Sequence, residues 1–130
     1  MFVWRASNHV EALLSWVNLH YPHRDKTSDG IKGDSKHAAR ESDHNPDSKG
    51  IVRALDIDAD LLPGAKDHTE AHRLADTIRA WGKQDVRPIA YVIFAGRIAS
   101  PRMNWRWRKY TGTNPHLHHI HVSFRKAPGE

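Results

Sequence analysis

Apolar positions recur at helical spacing in two stretches of the chain and alternate with polar ones in three others. Asn8 and Glu11 stand at capping spacing, and Val10, Leu13, Leu14 and Val17 follow at intervals of three and four, predicting an amphipathic helix to about His20. Asp67 and Glu70 repeat the capping spacing, and Ala71, Leu74, Ala75, Ile78 and Trp81 form a second stripe that is expected to stop at Gly82. From Ile51 to Asp58, Leu55 and Ile57 alternate with Ala54, Asp56 and Asp58, which predicts a strand carrying both aspartates on one face. Pro88 introduces the β-rich run Ile89 to Phe94, and Ala95-Gly96 turns it into Arg97 to Ala99, a hairpin. His118 to Phe124 alternates cleanly: His119, His121 and Ser123 share one face, while His118 is expected to pack or snorkel beside Ile120, Val122 and Phe124.

The remaining stretches lack periodicity. Residues 21–50 are polar and rich in Gly, Ser, Asp, Lys and His, and read as a long ordered loop of the kind that carries function. Residues 101–115 read as irregular and 125–130 as a short tail. The whole is α+β, a small antiparallel β-sheet packed with two main helices.

Composition narrows the chemistry. At 130 residues the chain fits one domain, residues 1–130, able to bury a core without disulfides. It has no cysteine, which removes thiolate zinc sites and cysteine nucleophiles, so a transition-metal site must use histidine and carboxylate. There are 11 histidines, and His116, His118, His119 and His121 crowd together. A formal net charge of +5 favours an anionic partner, whether nucleic acid, a membrane surface or a phosphate-bearing wall polymer. The N-terminal residues lack the pattern of a signal peptide and no stretch approaches the roughly 20 apolar residues of a span, so a chain made in the cytoplasm, without membrane insertion, is expected.

Catalytic zinc commonly takes three protein ligands and keeps a fourth position for water. The candidates are His44, the Asp56/Asp58 pair and the same-face His119 and His121. Aspartates ending an apolar strand are costly to bury unpaired, and a nearby cation accounts for them. Two same-face histidines either both bind metal, or one binds while its neighbour handles protons. The run Trp105-Arg106-Trp107-Arg108-Lys109-Tyr110 offers apolar faces and cations, and Trp105 and Trp107 are read as a wall of a substrate groove.

Ser42-Asp43-His44, Ala54-Leu55-Asp56 and His116-Leu117-His118-His119-Ile120-His121 resemble the S-x-H, A-x-D and H-x-x-H-x-H signatures of a zinc peptidase superfamily. That superfamily groups D-Ala-D-Ala carboxypeptidases, penicillin-insensitive murein endopeptidases, phage endolysin peptidases and the hedgehog signalling domain. The resemblance spans roughly residues 38 to 124, and Ser42 to Asp58 looks most like endolysin peptidase domains of the mycobacteriophage type. It implies a hedgehog/DD-peptidase-like fold, zinc as cofactor and His44, Asp56 and His121 as ligands. Arg40 matches in approximate position an arginine that relatives use on substrate carboxylate or on the developing oxyanion. Two departures stand out: residues 45–52 contain an apparent insertion between the first two motifs, and His118 occupies the place of an acidic general base.

The resulting expectation is a zinc-dependent peptidoglycan peptidase of bacteriophage endolysin type, a hydrolase for cell wall degradation acting as a monomer on the wall after release. It hydrolyses an amide of the stem peptide or cross-link with metal-activated water. His119 handles the proton, because it shares the face of His121, with His116 next and Arg40 in support. Ser42 orients the loop and lines the substrate site. No specific nucleic-acid partner is expected. The rival reading is a nucleic-acid-binding protein or metal-dependent nuclease, motivated by the basic charge, the Trp/Arg run and the triplet Asp43-His44-Asn45.

Overall fold

A computed structural model describes residues 3–31, 44–64, 67–128 and 130. The elements run β1 (Arg5–Ala6), α1 (Asn8–His20), β2 (Ile51–Val52), β3 (Ala54–Asp58), α2 (Thr69–Lys83), β4 (Ile89–Phe94), β5 (Arg97–Ala99), a tight turn (Arg102–Trp105), β6 (Arg108–Lys109) and β7 (His119–Phe124). The fold is α+β: two helices accompany an antiparallel five-stranded sheet ordered β3-β7-β4-β5-β6, and β1 pairs with β2 in a separate parallel ribbon.

Strand alternation divides the sheet into two chemically different faces. Leu55, Val122, Val92 and Ala99 lie in register across four strands, with Ile57 opposite Ile120, and all are buried in the main apolar cluster. α1 packs on β3 through Val10, Leu13 and Val17, and α2 packs on β4 through Ala71, Leu74, Ala75 and Ile78. Each large aliphatic side chain buried this way stabilises the fold by about 1.5–3 kcal/mol. The opposite face carries Asp56, His121 and Ile93 in one row and Ser123 and Tyr91 in the next. One face is therefore spent on the core, and the other presents polar groups held by the same rigid ladder.

Local details refine the expected boundaries. Ser7, one residue before the expected pair, caps α1 by accepting from His9 N at 3.2 Å. Gly82 does not stop α2. It lies buried within the helix because the Trp105 indole rests where a Cβ would stand. The strand expected from Ile51 to Asp58 breaks at Arg53, whose guanidinium turns to Asp47 at 2.6 Å and to Glu130 at 3.7 Å. Glu130 is 5% exposed and its carboxylate accepts from Asn8 N, so the expected tail is docked onto the start of α1. The hairpin turn has positive φ at both Ala95 and Gly96, the primed geometry that matches strand twist. The stretch read as irregular contains β6, paired with β5. His118 is exposed and precedes β7, so it is not packed in the apolar face. Among the described residues no helix is long and apolar enough to cross a membrane.

Candidate metal centre

Adjacent strands bring the two central groups together. Asp56 and His121 are direct partners in the β3–β7 ladder, and Asp56 Oδ1 stands 3.0 Å from His121 Nδ1. The third group comes from the loop: His44, 5% exposed, places Nε2 3.2 Å from Asp56 Oδ2 and 3.2 Å from His121 Nδ1. Gly30 pairs its backbone with that of Asp56 and carries the following residue, Ile31, to His44. Donors 2.0–2.1 Å from a tetrahedral metal are roughly 3.3 Å apart. The three separations are close to that value, with His44 facing Asp56 Oδ2 and His121 facing Oδ1, so the group could hold a metal ion.

Proton accounting makes the same point. The Ile31 carbonyl can only accept, so His44 Nδ1, 2.7 Å away, carries a hydrogen, and the ring turns Nε2 towards Asp56 and His121. His121 places its other nitrogen, Nε2, 2.8 Å from Ser123 Oγ, the second contact that commonly orients a ligating imidazole. Tyr91 stacks on the same ring, with centroids 5.6 Å apart and planes within 19°. Two imidazoles and a carboxylate thus converge on one point. Burial raises the Asp56 pKa, but hydrogen bonds from His121 and His44 outweigh it and hold the carboxyl far below the usual range. It is the anionic member of the set.

His119 and His116 form the next layer. His119 Nε2 lies 3.5 Å from Asp56 Oδ2 and 3.1 Å from His116 Nδ1. Burial lowers both imidazole pKa values, that of His116 to about 4 with help from His121 and His119 beside it. Both rings are neutral near pH 7, able to accept a proton and to pass it between them. His116 itself sits at φ 55°, a costly backbone conformation for a side-chain-bearing residue, which turns its ring back towards the cluster.

Asp58 is engaged elsewhere: its carboxylate accepts from Ser28 N and Ser28 Oγ at 2.9 and 2.8 Å and from Asp60 N at 2.9 Å. Asp56 stands with the histidines, and Asp58 fastens the loop. Arg40 and Ser42 lie outside the described residues. Trp105 is 6% exposed and packs on Gly82, so it belongs to the core and not to a groove wall, because α2 offers it a side-chain-free seat. Trp107 is half-buried beside α2, donating from Nε1 to Asp76 at 3.1 Å beneath the Arg97 guanidinium.

Sequence reasoning missed three contributors. Ser123 shares the parity of His121 and could have been read as its partner. Tyr91 and the Ile31 carbonyl have no local signal, since strand order and loop path alone bring them in. Comparison with protein-family models, curated proteins and solved structures returned no match.

Proposed function

We propose that the chain is a zinc peptidase acting on bacterial peptidoglycan, with a hedgehog/DD-peptidase-like fold and endolysin-type action on the wall. The observation that carries the reading is the convergence of His44 Nε2, Asp56 and His121 Nδ1 at 3.0–3.2 Å. This donor set suits zinc, and the order of the three motifs that supply it resembles that of the peptidase superfamily.

Bound there, zinc would supply Lewis-acid polarisation of the scissile carbonyl and a water acidic enough to lose its proton near pH 7. The remaining work falls to the chain. Ser123 and Tyr91 fix the plane of the His121 ring, and Ile31 fixes the tautomer of His44. His119 takes the proton at Nε2, shares it with His116 Nδ1 across 3.1 Å and returns it to the leaving amine. Arg40 and Ser42, on the loop before His44, are proposed to hold the substrate carboxylate and orient the loop.

The deciding experiment measures metal content by mass spectrometry on the wild-type chain and on His121→Ala, together with release of soluble fragments from purified peptidoglycan. One zinc per chain, lost together with activity in the variant, is expected. A metal-free wild-type chain that leaves peptidoglycan intact would sink the reading and move nucleic-acid binding to the front.

A further inference from the structure

We infer that the cleft between the β5–β6 edge and the 102–105 turn is a subsite for a carboxylate of the peptide being cut, an assignment that rests on the peptidase reading for the identity of that peptide. The cleft encloses about 450 Å³, and its lining includes Arg102, Arg108, Lys109 and Tyr110 but no acidic residue. Arg108 donates to Ser100 Oγ at 2.9 Å and to the Arg102 carbonyl at 3.2 Å, both neutral acceptors that position the guanidinium and leave its charge uncompensated. Among the described residues no carboxylate pairs with Arg102, Arg108 or Lys109. Three cations around one concavity repel each other unless an anion enters.

The wall is rigid and strained. Met103, Asn104 and Trp105 have φ of 61°, 54° and 63°, three successive side-chain-bearing residues in left-handed backbone. Each costs on the order of 1–2 kcal/mol, and the strain persists where surrounding structure over-determines it. Here the anchor is Trp105: its indole is buried on Gly82, its N–H donates to the Ser100 carbonyl at 2.9 Å, and its carbonyl accepts from Arg79 at 3.2 Å. The reversed backbone sets Arg102 and Met103 opposite β6, where a relaxed loop could move away.

Tyr110 connects this cleft to the metal centre. Its ring centroid is 6.0 Å from that of His116, which is 5.1 Å from that of His121. A Cβ at Gly112 would collide with the Tyr110 phenol, so the chain curls tightly around the ring and fixes it. An anion held beside Tyr110 therefore lies roughly three extended peptide residues from the ligands. That separation favours a carboxylate of the same peptide over the phosphate of a separate wall polymer.

The test uses soluble, phosphate-free muropeptides with free carboxylates and the same muropeptides amidated with carbodiimide and ammonia. The zinc-loaded wild-type chain is compared with R102A/K109A and with the charge-keeping R102K/K109R, following hydrolysis for KM and kcat and tryptophan fluorescence on mixing for binding. For free muropeptides, KM is expected to rise about tenfold in R102A/K109A with kcat within about twofold, and to stay near wild type in R102K/K109R. Amidation should cause a clearly larger loss in the wild type than in R102A/K109A, where the part owed to Arg40 remains. Equal binding of both muropeptides by the wild-type chain overturns the inference, whether or not either is cut. So does discrimination that appears only with phosphate-bearing peptidoglycan. A binding difference that shrinks in R102A/K109A, without hydrolysis, supports the subsite and sinks the peptidase reading alone, and one of equal size in both overturns the subsite.

Discussion

Asp56 and Asp58 stand two residues apart on one strand, share a face of the sheet and meet His121 and His119 across the same ladder, yet their surroundings differ in kind. Asp58 is met by hydrogens from Ser28 and Asp60, and its own N–H donates to Asp29 Oδ1 at 2.7 Å. Asp56 is met by the ring nitrogens of His44 and His121, and His44 is anchored through its other nitrogen to the Ile31 carbonyl. A carboxylate surrounded by donors is a structural fastening. One faced by the ring nitrogens of two imidazoles is a group that could hold a metal ion. Burial does not distinguish the two; the kind of partner does.

The largest effect is expected at Asp56. Asp56→Asn removes the carboxylate proposed to hold zinc, and hydrolysis is expected to fall by a factor on the order of a thousand, about 4 kcal/mol, with zinc lost on dialysis and the circular dichroism unchanged. Retained stoichiometric zinc would break the contrast. Asp58→Ala is the converse: it leaves the Ser28 and Asp60 groups without their acceptor and should cost about 3 kcal/mol in urea unfolding while one zinc per chain remains. Loss of zinc there would make both aspartates part of the metal site.

Ser123→Ala sharpens the contrast one step out from the donors. It removes the partner of His121 Nε2 and is expected to weaken zinc about tenfold in competition with a chelator, with little change in unfolding free energy. The smallest effect concerns a satisfied carboxylate nearer to solvent. Asp47 accepts from Ile51 N, Arg53 and Lys49 N, and these bonds, Ile51 first, hold its pKa down to about 2 from 3.8. Because the folded value is the lower one, the contribution is complete above the unfolded pKa and disappears as pH falls through the folded one. The melting-temperature gap between wild type and Asp47→Asn should therefore close between pH 3.8 and about 2, and its free-energy equivalent should be under about 1 kcal/mol because water screens the group. A gap independent of pH would assign the effect to shape and not to charge.

Local periodicity made the two helices, the hairpin and the last strand legible, because their apolar positions answer to one core. Features decided by distant partners were not legible. Arg53 ends β2 because Asp47 and Glu130 receive its guanidinium, and Gly82 stays helical because Trp105 fills its missing Cβ. Arg24 is buried and held by Asn18 and by both oxygens of Asp29, which nothing in the polar stretch around it signals. At the site, parity brought Asp56 and Asp58 to one face and could go no further. The loop that feeds Ser28 to one and His44 to the other makes the distinction.

The origin of the three donors has a mechanical consequence. Asp56 and His121 belong to neighbouring strands joined by their own ladder, whereas His44 comes from the stretch before β2. An ion joining all three would cross-link residue 44 to residue 121 and close a long stretch of polypeptide, lowering the entropy of the unfolded chain much as a disulfide does. In a chain without cysteine, such a bridge would survive reductants and open to chelators. The urea midpoint of the chain should then track the concentration of free zinc.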